Sequence, residues 1–257
     1  VRSSAGFARL SGLATGLALS FVSALAAAQP APARPDPDLA FSQPIALILA
    51  LGLASILPFA FMTLTGFVKI STVLAIVRGA IGAQNVPSNT LVMALSAALT
   101  VVAMAPVGSR IADRAAPLLE PSDRDTAAWV IGLVGATREP LRDFLAANGS
   151  EREKKRFFEL ARISRPEAER QSVGARDFMV IVPAFIVTEL MEAFALGFAI
   201  YLPFLIIDLV VSNVLLALGM QMMNPTQVSL PFKLLLFVAI DGWGLLAQAL
   251  ITGYRVS

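Results

Sequence analysis

The sequence contains no cysteine and no histidine. The first absence excludes disulfides, thiol nucleophiles and thiolate metal sites, and the second removes the commonest general base at neutral pH. No G-x-x-x-x-G-K-S/T loop is present to cradle a nucleotide phosphate. Charge is sparse as well: 20 basic and 18 acidic residues leave a net +2, so the pI near 9.3 reflects a small surplus and implies no nucleic-acid partner. Enzymatic chemistry, a cofactor and a metal are therefore not expected.

What the chain does have is apolar surface. At 257 residues, 56% of them hydrophobic, and a mean hydropathy of +0.74, it holds more apolar area than one soluble core of that length can hide. Charge is also unevenly placed: residues 107–177 carry 13 Lys/Arg and 12 Asp/Glu of the 38 charges. The expected fold is all-α and membrane-associated, with two long apolar helical hairpins around a small polar helical insert.

Five segments follow. Residues 1–28, with Arg2 and Arg9 before the apolar run Leu10 to Leu25 and small residues at Ala26 and Ala28, read as an export signal cleaved near Ala28. Residues 29–43, "QPAPARPDPDLAFSQ", read as a Pro-rich linker. Residues 44–106 form the first hairpin, turning at "GAQNVPSN" with an N-cap at Ser88 or Asn89 and a second helix from Thr90 to about Ala105. Residues 107–177 are the polar insert, on the periplasmic side, with a helix starting at Thr137, a stop at Asn148-Gly149 and a capping box of Ser150 with Glu153. Residues 178–257 form the second hairpin, whose tip is "GMQMMNPTQV".

Both apolar blocks are long. As one helix, Pro44 to Val77 would run about 50 Å and Phe178 to Met220 about 65 Å, against a hydrocarbon core of roughly 30 Å. Breaks are expected at Pro58, Pro183 and Pro203, with Pro231 near the start of the last helix. Ala193 with Gly197, and Ala195 with Ala199, place small residues four apart on a helix, where they permit close helix contact.

Seven charges interrupt these blocks: Lys69, Arg78, Glu189, Glu192, Asp208, Lys233 and Asp241. Each costs about 2.5 to 3.5 kcal/mol at a bilayer centre if left alone, so each needs a partner or water. Near balance between four acids and three bases suits pairing between helices or between copies, and the charges are read as buried assembly contacts. Glu189 and Glu192 share a helix face and repel unless a base opposes them. Lys69 and Arg78, with no acid between them, favour a cytoplasmic side for the first turn. Two other functions are open to such a pattern. A polytopic carrier of small solutes would use Glu189, Glu192 and Asp208 at broken helices, and an intramembrane enzyme would use paired carboxylates.

Three segments, "GFVKISTVLAIVRGAIGAQNVPSN", "PAFIVTELMEAFALGFAIYLPFLIIDLVVSNVLLALGM" and "SLPFKLLLFVAIDGW", closely resemble the SctR proteins of virulence-type type III secretion systems, whose flagellar counterpart is FliP. The resemblance spans most of Phe67 to Trp243, and the first segment leans toward the virulence or symbiosis branch. It implies a pore-forming subunit of the export gate at the inner membrane, ringed in five copies with SctS- and SctT-like subunits and held toward the periplasmic face. Unfolded secreted proteins would pass through it. It further implies that Met220, Met222 and Met223, with Gln221 and Asn224 beside them, line a methionine gasket. The physics agrees: an apolar constriction excludes water and ions, and unbranched thioethers re-pack around a passing chain.

Overall fold

The computed structural model describes residues 39–83, 86–118 and 126–255. The export signal and residues 29–38 of the linker lie outside the described residues. The chain divides into two units, residues 1–47 and 48–257. Every described element is helical: α1 Leu39–Leu64, α2 Phe67–Ile81, α3 Asn89–Ala115, α4 Thr126–Asn148, α5 Glu151–Ile163, α6 Phe178–Ala217, α7 Pro225–Ala239 and α8 Gly242–Thr252, with 3-10 turns at Ala116–Leu118 and Glu167–Ser172. Residues 39–43, expected in the linker, already belong to α1.

The core is built on α2. Phe67, Ile70, Val73, Leu74, Val77, Ala80 and Ile81 are buried, a spacing that lays one apolar stripe along the helix. The stripe meets α6, which contributes Ile181, Phe185, Ala193 and Phe204 to the same cluster. Burying a side chain of this size stabilises by about 1.5–3 kcal/mol. Contact is close at Gly197, where a Cβ would stand 2.5 Å from Ile76 Cδ1. The Ala193 and Gly197 pair is thus the buried small-residue face of α6, whereas Ala195 and Ala199 are exposed.

Helix boundaries correct several expectations. Pro58 lies within α1 and Pro183 and Pro203 lie within α6, whose 40 residues run unbroken. At 1.5 Å per residue α6 is about 60 Å long. A proline removes one backbone donor and bends a helix without ending it when the remaining ladder and the packing hold. Pro231 is interior to α7; the proline in its first turn is Pro225, after the N-cap Asn224. The real breaks fall elsewhere. The axis turns by 66° between α1 and α2, at Thr65 and Gly66, and by 58° between α7 and α8, at Ile240 and Asp241.

Each break has an identifiable structural cause. Thr65 Oγ1 donates to Phe61 O at 2.5 Å and accepts from Phe67 N at 3.3 Å, so the hydroxyl bridges the interrupted ladder. Gly66 leaves room for the Tyr254 ring, because a Cβ there would stand 2.5 Å from Cζ and from the hydroxyl. At the second break Asp241 takes φ 51°, and Phe237 and Trp243 meet edge to face at 5.1 Å across it.

The first hairpin turns as expected at Ser88, whose hydroxyl accepts from Leu91 N at 3.2 Å. Its second helix does not stop at Ala105. It continues through Pro106 to Ala115, with Val107 buried against the core. In the insert, α4 starts at Thr126, well before Thr137, because "WVIGLV" supplies another apolar turn and a half. It ends at Asn148 as read.

Only half of the capping box forms. Ser150 Oγ accepts from Glu153 N at 3.3 Å, but Ser150 N donates to Thr188 Oγ1 at 3.0 Å, so the return bond comes from α6. Lys154 donates to Glu151 at 2.6 Å, and that bond and its charge hold the Glu151 carboxyl below its usual range. The basic run therefore carries its own counter-charge.

By length and composition, α3 with its 3-10 turn and α6 are each able to cross a membrane, and the two bent pairs add up to two more candidates. One face of α6 is apolar and exposed among the described residues, with Phe194, Phe198, Ile206, Leu209 and Val210 all at the surface.

Candidate functional site

The methionine tip joins α6 to α7. Helix α6 ends in a left-handed residue, Gly219 at φ 72°, with Gly219 N donating to Leu216 O at 3.0 Å and Met220 N donating to Leu215 O at 2.9 Å. This pair of bonds is the Schellman arrangement, which satisfies the last carbonyls and sets the exit direction of the chain. Met223 N then donates to Met220 O at 3.2 Å, and Asn224 Oδ1 accepts from Thr226 N at 3.0 Å to start α7. The tip is a turn closed by its own hydrogen bonds.

That turn holds its thioethers outward. Met220 and Met223 are 42% and 44% exposed and Met222 is 101% exposed. Gln221 and Asn224 are exposed beside them. Three unbranched apolar side chains displayed together at one tip are disfavoured in water unless a second surface covers them. Behind the tip, α6 and α7 flank an apolar groove of about 540 Å³.

The interrupting charges fall into two groups and two outliers. In the first group Lys69 of α2 stands 3.0 Å from Glu189 Oε1 and 2.6 Å from Glu192 Oε2, both on α6. One cation thus answers the repulsion expected between the two carboxylates. The Tyr254 hydroxyl lies 2.6 Å from Glu189 Oε2 and 3.0 Å from Gly66 O, and its ring lies 4.4 Å from Lys69 Nζ. Lys69 and Glu189 are buried, whereas the Glu192 side chain is 52% exposed and reaches the surface. Paired in this way, Lys69 is not a free basic charge for orienting the first turn.

In the second group Lys233 of α7 donates to Asp208 Oδ2 of α6 at 2.6 Å and to Ala80 O of α2 at 3.1 Å. Ser229 donates to Asp208 Oδ1 at 2.5 Å. Both groups close within one chain, so these charges do not need a second copy to be paired.

Two residues depart from the expected burial. Arg78 is half-buried and donates to the Asn89 side chain at 3.3 Å, across the first turn. Asp241 is exposed at the second break, with its carboxylate folded toward Gly244. Neither is a buried charge in this chain. Tyr254 and Ser229 belong to the two groups and were not singled out from the sequence. Ser229 stands four residues before Lys233 on the same helix face, a signal present in "SLPFK"; nothing local marks Tyr254.

The FliP family profile matches residues 50–250. The chain is 42% identical over 211 residues to the pathogenicity-related protein ORF2 of Xanthomonas campestris pv. glycines, covering 82% of this chain and 95% of that one. It is 39% identical over 209 residues to the hypersensitivity response secretion protein HrcR of Ralstonia nicotianae, covering 81% and 96%. It is 39% identical over 198 residues to the flagellar biosynthetic protein FliP of Pectobacterium carotovorum subsp. carotovorum, covering 77% and 74%.

Proposed function

Because the chain belongs to the FliP family of type III secretion export components, we propose that it is the pore-forming core subunit of the export gate, with the methionine tip as its seal. It is an inner-membrane protein of the secretion apparatus and works in complex with other secretion components. In the proposal, copies of the chain, five by resemblance, ring a conduit together with SctS- and SctT-like subunits toward the periplasmic face. Unfolded secreted proteins pass along the axis, and the subunit catalyses no reaction.

One observation carries this: three exposed methionines on a hydrogen-bonded tip between two apolar helices that each keep a large apolar face exposed among the described residues. Around an axis such tips make an apolar ring that excludes water when closed and yields to unlike side chains when occupied. Partial covering by neighbouring copies accounts for the exposed faces of α6 and α7. The alternative, a small-solute carrier using the carboxylates of α6, is less well supported. Glu189 and Glu192 are committed to Lys69, and Asp208 to Lys233, so none of the three acids such a carrier would use is free.

The test is permeability. Replacing Met222 and Met223 with alanine in the assembled complex is expected to make resting cells leak small solutes while secretion continues. Unchanged permeability with a correctly assembled complex counts against the seal.

A further inference from the structure

The Asp208–Lys233 pair does more than neutralise two charges. Lys233 Nζ bonds Ala80 O, in the last turn of α2, where carbonyls lack intrahelical partners and carry partial negative charge. Helix α2 ends there because Gly82 takes φ 76°, and a Cβ at Gly82 would lie 3.8 Å from Lys233 Nζ. Asp208 has each carboxylate oxygen occupied, one by Lys233 and one by the fully buried Ser229. The carboxylate is thereby held against rotation. Three helices, α2, α6 and α7, meet at this node, and α2 otherwise touches α7 only slightly. Alongside the node, α6 and α7 part around the apolar groove lined by Ile206, Val210, Val214, Leu218, Val228 and Phe232. Side-chain packing between the two helices beneath the tip is thus incomplete. Ser229 stands about one helical turn beyond Pro225, where the tip ends.

We propose that Lys233 and Ser229 are positioning residues for the methionine tip, anchoring the α6–α7 hairpin to the end of α2 through the Ala80 carbonyl. The proposal rests on the tip being a seal, since an anchored tip closes a conduit only if its place is fixed. It differs from a simple ion pair in one respect. A pair needs opposite charges at 208 and 233 in either order, whereas the anchor needs a donor at 233 to face a carbonyl.

The test uses the assembled complex and the absence of native cysteine. Spin labels at Gly79→Cys and Met222→Cys report the distance between α2 and the tip. A Cβ at Gly79 meets nothing within 4 Å and Met222 is fully exposed, so both sites accept a label. Labelled copies are diluted with unlabelled ones so that distances are read within one chain. The parent is expected to give one narrow population. The charge swap Asp208→Lys with Lys233→Asp restores the pair but turns an acceptor toward Ala80 O; the assembled complex is expected to lose the narrow population. A swapped complex as narrow as the parent overturns the anchor. Should the swap fail to assemble, Ser229→Ala decides: a broadened distribution supports the anchor, and an unchanged one overturns it. Solute leak, measured in parallel on unlabelled complexes that keep Gly79 and Met222, separates the two ideas. Broadening without leak supports the anchor and sinks the seal, while leak without broadening sinks the anchor alone.

Discussion

The Tyr254 hydroxyl lies 2.6 Å from Glu189 Oε2, although 65 residues separate them, and both side chains are buried. This contact brings the last described turn of the chain onto the middle of the core. Tyr254→Phe removes the phenolic donor and leaves the carboxylate to Lys69 alone. A loss of about 1–3 kcal/mol is expected, read as a lower unfolding temperature of the detergent-solubilised complex. An unchanged temperature would show that water replaces the hydroxyl without cost.

Lys69→Met is expected to be harsher. It leaves Glu189 and Glu192 without their shared cation, and stranding a buried charge costs about 3–5 kcal/mol. Recovered protein should fall sharply, and the triple change Lys69→Met, Glu189→Gln, Glu192→Gln should restore much of it. If the triple variant is no better than the single one, repulsion between the carboxylates is not the cause.

Two glycines of the first hairpin make a matched comparison. Gly66→Ala forces a Cβ to 2.5 Å from the Tyr254 ring, whereas Gly79→Ala enters open space on a helix. The first should destabilise and the second should be neutral or stabilise, by up to about 1 kcal/mol. Parallel thermal melts of the two variants check the ordering.

Gly219→Val tests the geometry of the tip without touching a methionine. A β-branched side chain at φ 72° costs on the order of 1–2 kcal/mol and pulls apart the bonds to Leu215 and Leu216. Solute leak should rise with all three methionines retained. Tightness equal to the parent would mean that the seal tolerates a displaced turn.

The all-helical class, the turn at Ser88 and the stop at Asn148 were legible because apolar period and capping chemistry are local properties. The tip was legible for the same reason, as Gly219, Asn224 and Pro225 are the residues such a turn demands. Helix breaks were not legible. Pro58, Pro183 and Pro203 are the strongest local punctuation in the sequence, yet the ladder closes around each of them. The chain instead turns at Gly66, where Tyr254 packs in from the far end of the chain, and at Asp241, next to Gly242, whose missing Cβ leaves room for Phe237 of the preceding helix. Local signals cannot report a partner 188 residues away. Charge pairing was half legible: the need for partners was plain, but whether Lys233 would meet Asp208 or a second molecule depended on the crossing of α6 and α7.

The unbroken α6 has a mechanical meaning. Near one end, Thr188 accepts a bond from Ser150 of the polar insert; the other end carries Met220. The helix is continuous between these points, Pro203 included, so the insert and the tip are carried by one hydrogen-bonded element rather than by two jointed ones.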